Sequence, residues 1–107
     1  MLTEVRPCPR LDLPAPDVSE VTVLAALLAD RTRAGILALL QDGPHCVCEF
    51  AATFGERENN VSNHLTKLRA AGLVRASRHG ADARLVYYER DEEAISAARA
   101  ILLEVLG

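Results

Sequence analysis

Between Val61 and Glu89 the spacing of the apolar residues changes, and Gly72 marks the change. Val61, Leu65 and Leu68 recur at intervals of four and three, the buried stripe of an amphipathic helix. That helix is expected over about Glu58 to Ala71, with Gly72 closing it as the glycine just past its end. Beyond the glycine, two strand-like runs follow, Leu73-Val74-Arg75-Ala76-Ser77-Arg78 and Arg84-Leu85-Val86-Tyr87-Tyr88-Glu89. They flank His79-Gly80-Ala81-Asp82-Ala83, which makes a β-hairpin with a basic tip. A helix delivered straight into a hairpin narrows the architecture to a mainly α unit carrying one small β element.

The rest of the chain completes that unit. Pro7, Pro9, Pro14 and Pro16 forbid a helix in residues 1–16 and predict an extended arm of polyproline character. Residues 17–107 then form one domain. Asp17 or Ser19 caps a first helix with Val18, Val21, Leu24, Ala25 and Leu28 among its apolar positions. Asp30 or Thr32 starts a second, ending before Gly43-Pro44, and a short third helix spans about Cys46 to Phe54, stopped by Gly55. Short helix, glycine turn, polar-faced helix and basic hairpin together read as a winged helix-turn-helix. Asp91 caps a last helix whose apolar residues, from Ala94 to Leu106, cover more than one face. A terminal helix of that kind needs a second partner, most simply another protomer, so a dimer is expected.

Charge locates the functional face. The 107 residues sum to a net charge of -3, yet Asn59 to Arg90 alone carries +4, between a segment of -4 and a tail of -3. A basic middle in an acidic chain is the local footprint of a polyanionic partner. Half the residues are hydrophobic, which excludes wholesale disorder. Only 4% are aromatic, too few for a platform that stacks single-stranded bases. Double-stranded DNA fits better. Asn59, Asn60, Ser62, Asn63, His64 and Lys67 lie off the apolar stripe of their helix, where they can reach base edges and phosphates in a major groove. Arg78, His79 and Arg84 on the hairpin are placed to straddle phosphates or enter the minor groove. The sequence lacks the metalloprotease, nucleophile-elbow and phosphate-loop signatures, so an enzyme is not expected. Its longest near-apolar run, Val21 to Ala29, is nine residues, and no secretion pattern opens the chain, which reads as cytoplasmic.

Three cysteines remain: Cys8, Cys46 and Cys48. An odd count argues against a disulfide framework and for thiols that bind metal or react. Cys46 and Cys48 fall in the expected first turn of the short helix, where the helix N-terminus favours thiolates. Residues two apart in an ideal helix point about 200° from each other, so both sulfurs meet one ion only if that turn is irregular or unwinds.

With these residues in view, a resemblance emerges. Leu28-Ala29-Asp30-Arg31-Thr32-Arg33, Cys46-Val47-Cys48-Glu49-Phe50 and the run from Val61 to Val74 resemble the ArsR/SmtB family of dimeric winged-helix metal-sensing repressors. The resemblance covers about residues 18–106; Arg31 and Glu56-Arg57 depart from the family's usual pattern. It implies a homodimer on an inverted-repeat operator, released when a metal or metalloid binds. Cys8 is then the third ligand beside Cys46 and Cys48, and three thiolates suit As(III) or Sb(III) first. Cd(II) and Pb(II) are alternatives that related sensors bind with this motif. Zn(II) prefers four tetrahedral ligands and needs His45 or water as well. The family's second zinc site, on the last helix, is not expected, because no histidine follows His79. Two further readings are a redox switch made of Cys46 and Cys48, and a thiol metal buffer with no role on DNA.

Overall fold

The computed structural model describes residues 12–77 and 84–107. Residues 12–18 are exposed and outside helix and strand, and the rest of the expected arm, with Cys8, lies outside the described residues. So do Arg78 and the wing tip to Ala83.

Local caps define most of the elements. Helix α1 (Ser19–Leu28) begins beside Asp17, whose Oδ1 accepts from the Ser19 N–H at 3.0 Å. Helix α2 (Arg31–Leu39) is capped by Asp30, which accepts from the backbone N–H groups of Thr32 and Arg33. A 3-10 turn, Leu40–Asp42, leads to Gly43 at φ 135°, a conformation that favours glycine. Strand β1 (His45–Cys46) passes directly into helix α3 (Val47–Phe54), and helix α4 (Glu58–Ala70) follows. At the end of α4, Leu73 N–H reaches Leu68 O and Gly72 N–H reaches Arg69 O, with Gly72 at φ 79°. This is a Schellman cap, and its apolar clasp is the buried pair Leu68 and Leu73. Strands β2 (Val74–Ser77) and β3 (Tyr87–Arg90) form the wing, and helix α5 (Glu92–Leu106) is capped by Asp91 accepting from Ala94 N–H.

The sheet has three antiparallel strands in the order β1-β3-β2, with Ser77 opposite Tyr87 and Cys46 also opposite Tyr87 on the other side. Strand β1 was not expected: two residues are too few to show a period. The second wing strand was expected over 84–89, but it runs from Tyr87 to Arg90. Arg84, Leu85 and Val86 are exposed and precede the paired register, so the connection is longer than the expected five residues. The short helix also starts one residue later than expected, leaving Cys46 extended at its N-cap.

The core is the meeting of α2, α3 and α4. Ile36, Phe50, Val61, Leu65 and Leu68 are at most 1% exposed, which bears out the expected stripe of α4. Helix α5 contributes no fully buried residue. Ala94, Ile95, Ala98, Ile101 and Leu102 pack against the core, while Leu103, Val105 and Leu106 face outward. Between α1 and α5 runs an apolar groove of about 500 Å³, rimmed by the exposed Val23. The architecture is a mainly α winged helix-turn-helix, as the sequence indicated. Among the described residues no helix is long and apolar enough to cross a membrane.

Candidate nucleic-acid interface and thiol cluster

Helix α4 rests on the core through Val61, Leu65 and Leu68, which turns Asn59, Asn60, Ser62, Asn63 and Lys67 to solvent. These five form a continuous polar face at the front of the helix-turn-helix. The N-cap of α4 is Arg57 in extended conformation, and its own side chain makes no capping hydrogen bond. Within the first turn the Asn60 N–H donates to Asn59 Oδ1 at 3.0 Å.

His64 does not join that face. It is half-buried, and its Nδ1 lies 3.2 Å from Arg33 Nη1 while its Nε2 lies 3.8 Å from Asp30 Oδ1. It lies one turn after Val61 and one turn before Leu68, on the flank of the buried stripe, where α2 packs against it, so its expected place at the DNA differs from that of the five exposed residues. The backbone N–H of Arg33 holds the Asp30 carboxyl below the usual range, although burial works against this.

The basic stretch is also less free than its net charge implies. Arg75 lies 3.2 Å from Glu89 and 3.8 Å from Asp91, and Arg90 pairs with Glu92 at 3.0 Å. Arg69 sits over the Tyr88 ring at 5.9 Å, tying α4 to the wing strand. Several of these charges therefore serve the fold. Lys67 remains exposed on α4, and Arg84 is exposed where the chain re-enters the wing.

The thiols sit behind this face, at the junction of β1 and α3. Cys46 is 3% exposed and caps α3 reciprocally with Glu49. Its N–H donates to Glu49 Oε1 at 2.9 Å, and its sulfur accepts from the Glu49 N–H. Glu49 Oε2 also lies 3.5 Å from His45 Nδ1, and the His45 ring packs edge-on against Phe50 at 5.8 Å. Cys48, two residues later in the first turn of α3, is exposed. Burial, and secondarily the Cys48 side chain, push the Cys46 thiol up to about 11. The helix N-terminus was expected to favour a thiolate here; burial outweighs it.

As a donor set, two adjacent thiols suit a soft, sulfur-seeking ion. Among the described residues no third histidine, cysteine or carboxylate joins them in a group able to hold a metal. The fit is partial, and the expected third donor, Cys8, lies outside the described residues.

Residues 30–76 match the family described as "Bacterial regulatory protein, arsR family". The chain is 39% identical over 88 residues to the HTH-type transcriptional regulator CmtR of Mycobacterium tuberculosis, covering 82% of this chain and 72% of that one. It is 38% identical over 58 residues to the arsenical resistance operon repressor of Escherichia coli, covering 53% of this chain and 50% of the relative. A crystal structure described as a possible transcriptional regulator for arsenical resistance superposes with a TM-score of 0.66 at 31% identity, over 75% of this chain and 80% of that one.

Proposed function

This chain belongs to the arsR family of bacterial regulatory proteins and is a transcriptional regulator, and from that premise we propose that it is a homodimeric, thiol-sensing repressor. It holds an inverted-repeat operator through α4 and the wing, and releases it when a soft metalloid or metal binds Cys46, Cys48 and Cys8. Arsenite or antimonite is the preferred inducer class. The observation that carries this reading is the placement of Cys46 and Cys48 at the N-cap of α3, the helix packed against α4.

The dimer is supported by α5, which leaves Leu103, Val105 and Leu106 outward beside the α1–α5 groove. An isologous pairing there would present two α4 helices to successive major-groove faces. Asn59, Asn60, Ser62 and Asn63 then meet base edges, and Lys67 and Arg84 meet phosphates.

The cap is the point at which inducer binding and DNA binding meet. A trivalent arsenic-class ion supplies three bonds to thiolate sulfur. Cys46 must give up its proton and its place as acceptor of the Glu49 N–H, since one buried sulfur serves both purposes poorly. Losing an N-cap typically weakens a helix by about 1 kcal/mol, within the ~1–3 kcal/mol of common allosteric couplings.

The test is a titration of a labelled duplex, selected by the wild-type chain from a random library, with arsenite, antimonite, Cd(II), Pb(II), Zn(II) or peroxide added in turn. Cys46→Ser and Cys48→Ser are expected to bind the duplex like wild type and to ignore arsenite. Release by peroxide alone would favour a redox switch. Absence of saturable duplex binding would leave a metal buffer and refute the repressor.

A further inference from the structure

One cluster outside the thiol site and the α4 polar face joins three helices at a single point. Arg33, near the start of α2, donates through Nε to Leu27 O at 2.6 Å and through Nη2 to Ala26 O at 3.5 Å, both at the C-terminal end of α1. Its Nη1 points to His64 Nδ1 on α4 at 3.2 Å. Arginine has no acceptor, so Nδ1 must accept. The neutral ring then carries its proton on Nε2, directed to Asp30 Oδ1 at 3.8 Å. Asp30 is fixed in turn by the N–H groups of Thr32 and Arg33. The Thr32 hydroxyl donates to Glu56 in the turn that leads into α4. Two bridges, one at the entry of α4 and one in its middle, thus rest on the first turn of α2. A third anchors that turn to α1.

We propose that Arg33 and His64 form a strut that sets the angle of α4 against α1, and thereby the half-site separation that the dimer accepts. This inference rests on the dimeric reading above. Helix α1 lines the apolar groove with α5, so it belongs to the face expected to pair protomers. Arg33 spans the gap from that face to the DNA-facing helix with both of its ends hydrogen-bonded. Charged hydrogen bonds of this kind are directional, whereas apolar burial is not, so the bonds add an angular constraint on α4 that its buried stripe does not supply by itself. His64 is on this account a positioning residue. It touches no base, and its contribution to sequence readout passes through geometry. Dimeric helix-turn-helix proteins read half-sites about one helical turn apart, so a small change in helix angle displaces both reading heads from their grooves.

The experiment measures binding of wild type, Arg33→Ala, His64→Ala and His64→Gln to the library-selected duplex and to versions with its half-sites moved by one or two base pairs either way. Wild type is expected to prefer the selected spacing. Arg33→Ala and His64→Ala are each expected to lose at least about fivefold on that spacing and less on the displaced ones, which flattens the profile. His64→Gln retains an acceptor for Arg33 and is expected to restore affinity and profile to within about twofold of wild type. Equal losses at every spacing, or no loss, would overturn the strut. So would a His64→Gln protein with a changed base preference, because His64 would then be touching DNA. A wild-type chain indifferent to spacing would overturn the dimeric reading and the strut with it; a spacing-sensitive wild type with an unchanged Arg33→Ala profile removes the strut alone. Should Arg33→Ala fail to fold in a thermal melt, the His64 pair still decides.

Discussion

Gly35 lies inside α2, where alanine would normally be the better helix former by about 1 kcal/mol. The structure reverses that expectation. A Cβ built on Gly35 would stand 2.8 Å from Cε1 and 2.9 Å from Cζ of Phe54, whereas carbon atoms rest at about 3.5–4.0 Å. The ring must retreat by most of an ångström. It lies parallel to the fully buried Phe50 ring, at 6.4 Å between centroids and 4° between planes, so retreat toward the core is closed. Phe54 is only half-buried, so it can yield toward solvent, which places the strain in the lower part of the ~1–3 kcal/mol range for overpacking. After the propensity gain, Gly35→Ala should be destabilising by about 0–1 kcal/mol, and a value near 1 lowers Tm by about 4–8 °C in a domain this size. The Phe54→Leu background removes both clashing atoms. There Gly35→Ala should become stabilising by about 0.5–1 kcal/mol, so the two substitutions couple with a change of sign. Thermal melts of the four proteins at one protein concentration measure this. Stabilisation by Gly35→Ala in both backgrounds, or an equal loss in both, would refute the steric account.

Three shorter predictions accompany it. Because the native Cys46 thiol holds its proton to about pH 11 against an ordinary value of 9.0, its stabilising contribution is full below pH 9 and is lost as pH rises through 11. Urea midpoints of wild type should therefore fall across that window relative to Cys46→Ser, and parallel curves would contradict the burial argument. Lys67→Ala should weaken binding to every duplex and lower the salt slope by about 1, as read by titration at several salt concentrations; an unchanged slope removes Lys67 from the phosphates. Val23→Glu with Leu103→Glu should convert dimers to monomers in sedimentation, and an unaltered oligomeric state would move the interface elsewhere.

The elements that were legible in the sequence are those that local chemistry decides. Asp30 and Asp91 cap their helices as expected, Gly55 and Gly72 end theirs in positive φ, and the stripe of α4 is buried residue for residue. Each signal needs only neighbours within a turn of helix. Strand β1 needs Tyr87 and Tyr88, some forty residues away, and nothing in His45-Cys46 announces them. The ion pairs of Arg75 and Arg90, and the claim of α2 upon His64, are contacts of the same kind. A helical wheel correctly removes His64 from the stripe, but a wheel shows one helix alone and cannot show that α2 covers its flank. Net charge fails for a related reason: it counts guanidinium groups without seeing the carboxylates that the hairpin brings beside them.

The cysteine pair shows what that missing strand changes. As long as both residues are assigned to one regular helical turn, their side chains diverge by about 200°, and a shared ion demands that the turn unwind. In the structure Cys46 has φ -97° and ψ 166°, the extended end of β1, and only Cys48 is helical. Because Cys46 stands outside the helical turn that holds Cys48, the divergence of a regular helix does not govern this pair, and α3 stays intact. A shared ion therefore does not face the unwinding that one regular turn would impose. What opposes ligation is the condition of Cys46 itself: protonated, 3% exposed, and engaged by the Glu49 N–H. On the proposed function, the free energy that couples inducer to operator is then stored in that cap and in the backbone pairing of Cys46 with Tyr87. Displacing one sulfur disturbs both the helix beneath α4 and the strand that carries the wing.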